Sequence, residues 1–137
     1  MINIALRVQL LLRVAFAHVQ MVLYRPFLHH VMNCPSDQPA NPKSYACASA
    51  CVKAAKQVIR LVGDLNDHGL LNGAYWFTVF TTFLAIMSLV MYTINNPDDP
   101  QLEEILHLAE SGQQILLGLS IRSLTADRCA AFLTVSL

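Results

Sequence analysis

The sequence predicts an all-α fold, an irregular multi-helix bundle around a central apolar helix that covers Gly73 to Ile94. Two observations lead to this prediction. Apolar residues in the long segments recur at three- and four-residue steps, which is the period of a helix with one buried face. Because all the long elements share this period, no β-sheet is predicted. A length of 137 residues fits one helical domain, 1–137.

The first predicted helix runs from Met1 to about Tyr24. Its apolar face is wide, and its main polar interruptions are Arg7, Gln9, Arg13 and Gln20. Pro26 disfavours helical geometry at Arg25, so we expect the helix to end there. Three prolines then mark 33–43 as a Pro-rich loop.

The second predicted helix runs from about Ser44 to Leu65 and is cleanly amphipathic. Lysine and arginine take one face, and the other face consists of Ala48, Cys51, Val52, Ala55, Ile59 and Val62. The segment 66–69 ends this helix, because Gly69 can adopt the left-handed conformation that closes helices.

The central segment is free of charge: no Asp, Glu, Lys or Arg occurs between Asp67 and Asp98. Its length is sufficient to cross a membrane. The preferred hypothesis is a buried helix of a soluble domain, because threonines recur along it and acids, not cations, flank both ends. The neighbouring amphipathic helices also offer apolar faces to enclose it. The alternative is a small integral membrane protein with this single span.

A further helix is predicted from about Pro100 to Leu119, with Asp99 capping its first amide groups. A short connection, 118–123, leads to a last helix that starts near Ser123. Leu137 ends the chain in an apolar run without the Gly, cation or polar tail that usually closes a helix. We therefore expect this helix to be cut short and the chain to be a piece of a larger domain.

The composition is more apolar than that of a free-standing soluble domain. Hydrophobic residues make up 55% and charged residues 13%, against about 25% charged on average. A membrane protein, a mostly buried piece of something larger and an obligate partner subunit all fit. The net charge of zero gives no support for nucleic-acid binding. The acid-free, Arg-bearing start also resembles a mitochondrial presequence, although serines are missing. The four cysteines are interpreted as free thiols in a reducing compartment.

Three segments of the sequence carry a family resemblance. The first is Leu12 to Met21, followed by Leu-Tyr-Arg-Pro-Phe-Leu at 23–28. The second is Gly69 to Thr78, which ends in Tyr-Trp-Phe-Thr. The third combines 96–97, 104–105 and 109–110 with Ser123 to Cys129. In order and spacing they resemble the later part of the fungal-specific transcription factor domain, which follows the zinc binuclear cluster in regulators of the galactose-activator type. The resemblance covers nearly the whole chain.

The resemblance implies a non-catalytic helical region that regulates transcription in the nucleus. It implies contacts with protein partners, with the rest of a transcription factor or with a small-molecule effector. The family's zinc cluster needs six cysteines, whereas this chain has four, and the domain's usual earlier half is missing before Met1. We therefore expect zinc and DNA binding to belong to a cluster segment that this chain lacks. The chain itself is expected to self-associate through apolar surface and not to enter a membrane.

No catalytic, cofactor-binding or metal-ligating residue is assigned. The sequence has no Ser-His-Asp motif, glycine-rich phosphate loop or zinc-hydrolase helix, so no enzyme activity is predicted. Cys47 and Cys51 are interpreted as small residues that pack a helix face, with oxidative modification as the alternative. His29 and His30 are interpreted as partly exposed polar residues, with a metal site that includes Cys34 as the alternative.

Charged and aromatic residues are also given structural interpretations. Arg25 is expected to pair with an acid or with helix carbonyls, with an anionic effector as the alternative. Asp127 and Arg128 are interpreted as a structural pair or a solvated face, Asp98-Asp99 as a helix cap and Glu103-Glu104 as a solvated face. An aromatic stripe is interpreted as core, with a ligand pocket as the alternative; it comprises Tyr75, Trp76, Phe77, Phe80 and Phe83.

Overall fold

Four long helices form the described part of the computed structural model, which covers residues 2–35, 37–71, 76–119 and 131–135. They are α1 (Ile2–Met32), α2 (Pro42–Asp67), α3 (Trp76–Asn95) and α4 (Leu102–Leu119). A further short helix, α5, covers 131–135. No strand occurs in these ranges, which confirms the predicted all-α class.

The α2 helix is defined by clear start and stop signals. The Asn41 side chain accepts a hydrogen bond from the Lys43 amide at 2.7 Å, and Pro42, not Ser44, is the first helical residue. At the other end Gly69 has φ of 66°, and the Leu70 amide donates to the Leu65 carbonyl at 2.8 Å. This closure is the one predicted from the sequence, since a glycine pays no steric penalty in the left-handed region.

The prediction that Pro26 ends the first helix is wrong: α1 continues through Pro26 to Met32. Proline in a helix interior costs about 3 kcal/mol, because it lacks an amide donor and crowds the preceding turn. Leu28 lies beyond the proline and is buried, and Val31 and Met32 pack against the same core. Burying one such side chain contributes about 1.5–3 kcal/mol, so burial of Leu28 together with the packing of Val31 and Met32 outweighs the cost.

The α2 and α3 helices share the centre of the bundle, since each of them contacts the other three long helices. The buried face of α3 is rich in small and hydroxyl side chains, among them Thr78, Thr81, Thr82, Ala85 and Ser88. Two of these hydroxyls find partners on the helix itself: Thr82 donates to the Thr78 carbonyl at 2.8 Å and Ser88 to the Leu84 carbonyl at 2.9 Å. Small residues let α3 approach its neighbours closely without leaving these polar groups unsatisfied.

The α4 helix starts at Leu102, and Asp99 caps it as predicted, accepting a hydrogen bond from the Gln101 amide at 2.7 Å. Phe132 of α5 lies edge-on to Phe83 of α3, with ring centroids 5.6 Å apart. The predicted start of the last helix near Ser123 lies outside the described residues.

Two of the described helices are long and apolar enough to cross a membrane by length and composition alone. One is α3, for which the sequence raised this alternative, and half of its most apolar window is buried in the bundle. The other is α1, Ile4–Met32, of which 22% of the corresponding window is buried. The core helix of a soluble protein passes the same test.

Candidate docking surface

The α1 helix has apolar residues on two opposite faces. Its inner face packs on the bundle with Leu10, Val14, Ala17, Met21 and Leu28 buried. At about 100° per residue, the opposite side carries a second set that is exposed. This set, the outer face of α1, consists of Ile4, Val8, Leu12, Phe16, Val19, Val22, Leu23 and Phe27. An exposed set of this size, continuous along one helix, is typical of an interaction surface.

Polar side chains, three of them arginines, flank the outer face of α1. Projected down the helix, Gln9, Arg13 and Gln20 lie along one edge, and Arg7, His18 and Arg25 lie along the other. The α1 helix contains no acidic residue. The surface therefore combines an apolar stripe with positive edges.

A groove of about 490 Å³ opens beside the outer face of α1, between α1 and α2. Leu12, Phe16 and Ala17 form its apolar part, and Arg13 with the glutamines at 9, 20 and 57 forms its polar part. The Leu12 and Phe16 side chains are 66% and 67% exposed, so both are accessible from this groove. An apolar floor with a few polar groups at the rim is a common form of peptide-binding groove.

The prediction that the aromatic stripe of α3 is core is wrong for two of its members. Trp76 is 64% exposed and Phe80 is 44% exposed, and their rings meet edge-on with centroids 5.9 Å apart. Phe77 and Phe83 are half-buried, and Tyr75 lies outside the described residues. Close packing selects the threonine face of α3 for the interior, so the bulky rings are left at the rim of the bundle.

His18 connects α1 to this aromatic cluster. Its ring lies edge-on to Phe77, with centroids 4.9 Å apart, and its Nδ1 is hydrogen-bonded to the Thr81 hydroxyl at 3.0 Å. Burial lowers the pKa of His18, because the charged imidazolium is less well solvated there. The side chain is therefore neutral at physiological pH and serves to join α1 and α3.

Cys51 is a buried structural residue, which agrees with its interpretation from the sequence. Its thiol donates to the Met21 carbonyl with the sulfur 3.6 Å from the oxygen. Burial is the main effect on this thiol and raises its pKa, against smaller opposing effects of Ser88 and Arg25. A thiol with a raised pKa is a poor nucleophile and a poor metal ligand at neutral pH.

The other candidate metal ligands lie at the end of α1. Cys34 Sγ is 3.8 Å from His30 Nε2, and His29 is exposed in the same last turn. Within the described ranges no group of three or more His, Cys, Asp or Glu is arranged to hold a metal ion.

Arg25 does not end a helix, contrary to the sequence-based expectation. It lies inside α1, and its buried Nε has no hydrogen-bond partner among the described residues. In those ranges Glu104 forms an ion pair with Arg60 instead, and Arg60 Nη2 lies 3.1 Å from Glu104 Oε1. The pair Asp127 and Arg128 lies outside the described residues.

Charge is divided between two parts of the chain. Residues 1–63 contain seven Lys or Arg and one acid, Asp37, whereas 64–119 contain seven acids and no Lys or Arg. The two parts meet along α2 and α4, where Arg60 contacts Glu104 and Lys56 Nζ lies 3.2 Å from Gln101 Oε1. The lysines and arginines of the described residues therefore all lie on α1 and α2, although the whole chain has no net charge.

The acidic part of the molecule contains a strong polar contact between α3 and the cap of α4. The Tyr92 hydroxyl donates to the Asp99 carboxylate. Burial, this hydrogen bond and the carboxylate charge together raise the pKa of Tyr92 to about 12. The same bond, helped by the Gln101 amide, lowers the pKa of Asp99.

A cleft of about 970 Å³ lies between α2, α4 and α5. It is lined mainly by polar side chains, including Asn66, Asp67, His107 and Glu110. The cleft offers space for a small polar molecule.

Comparisons with known proteins point to gene regulation. Over 127 residues, 89% of the chain, the sequence is 33% identical to Activator of stress genes 1 of Saccharomyces cerevisiae. It is 37% identical over 81 residues to Activator of stress genes protein 1 of Candida albicans, and 35% identical over 82 residues to a putative transcriptional regulatory protein of S. cerevisiae. The chain is related to fungal regulators of transcription. No family model and no solved structure matches the sequence.

These similarities concern segments of much longer proteins. The chain spans 13%, 8% and 11% of the lengths of the three relatives, in the order given. The similarity to the first relative extends over most of the bundle and thus includes residues on both sides of the groove between α1 and α2.

Sequence reasoning missed the outer face of α1, although two signals were present. Apolar residues at 4, 8, 12, 16, 19 and 23 form a stripe of their own at helical spacing, beside the stripe that is buried. The division of charge at residue 63 was also visible in the sequence. Neither signal alone shows which of the two stripes faces the core.

Proposed function

We propose that this chain is a non-catalytic regulatory domain of a fungal transcription factor, corresponding to the later part of the fungal-specific transcription factor domain. It acts in the nucleus through contacts with other proteins or with the rest of a transcription factor. The similarity to Activator of stress genes 1 along 89% of the chain carries this proposal. The exposed outer face of α1 supports a role in protein contact.

Zinc and DNA binding belong, in this proposal, to a cluster segment outside this chain. The four cysteines do not match a six-cysteine cluster, and Cys51 is buried with a raised pKa. Metal analysis of the purified chain should find less than one zinc per molecule. A gel-shift titration should show no nanomolar DNA binding at physiological salt, because a chain with no net charge releases few counterions.

A chimera in S. cerevisiae tests the regulatory role. This chain replaces the matching segment of Activator of stress genes 1, and RNA profiling compares the strain with wild type and with a deletion. The matched control carries an unrelated four-helix domain of similar length at the same place. We expect this chain, and not the control domain, to restore the wild-type profile. Equal profiles with the two inserts would show that the segment is only a spacer.

A single-span membrane protein is the second candidate, because α3 and α1 both satisfy the length and composition of a span. Alkaline carbonate extraction of a tagged chain separates the two candidates. We expect the chain in the carbonate supernatant and, without extraction, in the nuclear fraction. Retention in the carbonate pellet, with glycosylation tags that report opposite sides for the two ends, would favour the membrane candidate.

A further inference from the structure

We propose that the outer face of α1 and the adjoining groove bind an acidic amphipathic helix supplied by a partner protein. The proposal rests on the proposed function, because a regulatory domain that acts through other proteins needs such a partner. It starts from the observation that the outer face of α1 is accessible: Leu12 and Phe16 are about two-thirds exposed, and both line the groove between α1 and α2.

The spacing of the exposed residues fits a helix as the occupant. The outer face presents apolar side chains at positions 8, 12, 16, 19 and 23, which follow one another at three- and four-residue steps. A helix with apolar residues at the same period packs its ridges into the grooves between these side chains. Leu12 and Phe16 are the central anchors, because the groove beside them gives an incoming side chain a concave site.

Charge then selects the kind of helix. Arg13 lines the groove, and Arg25 lies along the opposite edge of the outer face. Neither α1 nor the first 22 residues of α2, up to Gly63, contain an acid. A helix with Glu or Asp beside its apolar stripe is attracted to these edges, whereas a basic helix is repelled.

The same charges disfavour a second copy as the occupant. Two copies meeting through the outer face of α1 would bring their arginine-bearing edges together without an acid in either helix. The acidic helix α4 of another copy is also unsuitable, because its apolar residues Ile105, Ala109 and Leu116 are already buried in its own bundle. A separate acidic helix is therefore the occupant that the surface favours.

A binding experiment with the full chain and two labelled peptides tests the proposal. The peptides share one helical stripe of Leu and Phe and differ at the flanking positions, which are Glu in one peptide and Lys in the other. Fluorescence anisotropy at 150 mM salt should give a Kd at least about tenfold lower for the Glu peptide. Raising the salt should weaken this preference, because screening shortens the range of the charge interaction.

Three variants locate the binding site. Phe16→Gln should weaken binding of the Glu peptide by about tenfold or more, because it removes a central anchor. Arg13→Glu should lower the affinity for the Glu peptide and raise it for the Lys peptide. Ile94→Gln is the matched control: Ile94 is 71% exposed at the end of α3, and its replacement should leave both affinities unchanged. All three side chains are exposed, so circular dichroism should show the same helix content.

Each other outcome overturns the proposal in a distinct way. If the two peptides bind with equal affinity and Arg13→Glu changes neither affinity, the surface does not select its partner by charge. Dimerisation in analytical ultracentrifugation that Phe16→Gln abolishes would identify a second copy as the occupant. Binding to neutral phosphatidylcholine vesicles that depends on Phe16 would identify a lipid surface.

If the chimera fails while the Glu peptide binds as expected, the proposed function falls and the docking surface stands.

Discussion

Gly112 of α4 lies so close to Ile86 of α3 that a β-carbon at residue 112 would be 3.0 Å from the Ile86 side chain. Both residues are buried, and Ile86 has no exposed surface. The distance shows that α3 and α4 are in tight contact at this point. The absence of a side chain at residue 112 thus sets the spacing between these two helices.

Gly112→Leu should lower the free energy of unfolding by about 1–3 kcal/mol, because the new side chain has to displace Ile86 in a packed core. Gly118→Ala is the matched control in the same helix. A β-carbon there meets no atom of the described residues within 4 Å, so the better helix propensity of alanine should raise stability by up to about 1 kcal/mol. Urea unfolding followed by circular dichroism measures both values, and a neutral Gly112→Leu would show that α3 and α4 are not packed as described.

Tyr92 should make the fold sensitive to high pH. Its pKa is raised to about 12 in the fold, from an ordinary value of 10. The fold therefore favours the neutral phenol, and this contribution is present below pH 10 and is lost as the pH rises from 10 towards 12. Wild type should lose more stability than Tyr92→Phe over this interval. Thermal unfolding at several pH values measures the difference, with the exposed Tyr45→Phe as the control.

His18 should make the fold sensitive to moderately low pH. Burial lowers its pKa below the ordinary value of 6.5, so the fold favours the neutral ring. The stabilisation is complete above pH 6.5 and is lost as the pH falls through the lowered pKa that His18 has in the folded protein. His18→Asn removes the titrating group, so its stability should change less than that of wild type between pH 7 and pH 5. Parallel curves for the two proteins would contradict the burial of His18 against Thr81.

Cys51 should resist alkylation in the folded protein. It is buried and its pKa is raised, whereas Cys34 and Cys47 are half-buried. Iodoacetamide at pH 7.5 should modify Cys51 at least about tenfold more slowly than either of them. Peptide mapping by mass spectrometry after timed quenching gives the three rates, and 6 M urea should make them similar.

Most of the fold was accessible from the sequence because its helices are amphipathic and their ends carry local signals. Gly69 and Asp99 act through their own backbone and side chain within a few residues, so their roles are readable without tertiary information. Pro26 is different, since its local preference is overridden by burial of Leu28 in the core. A tertiary contact of this kind leaves no mark in the sequence around the proline.

The exposed faces of α1 and α3 were harder to predict from the sequence, because each helix has two faces that could pack against the core. On α1 two apolar stripes compete, and packing against α2 buries the one with Val14 and Met21. On α3 the aromatic stripe competes with a face of small hydroxyl residues, and close approach of the helices favours the latter. Hydrophobicity ranks Trp76 above Thr81 for burial, yet the fit between helices reverses that order.

Among the described residues, the lysines and arginines all precede residue 64 and every acid except Asp37 follows residue 63, while the whole chain has no net charge. Near its isoelectric point of about 6.9, such a molecule attracts its own copies head to tail in dilute buffer. Moderate salt screens this attraction, so solubility should rise with salt near neutral pH before it falls at high salt. The cations on α1 and α2 would also turn these helices towards an acidic partner during a diffusional encounter, before the first contact forms.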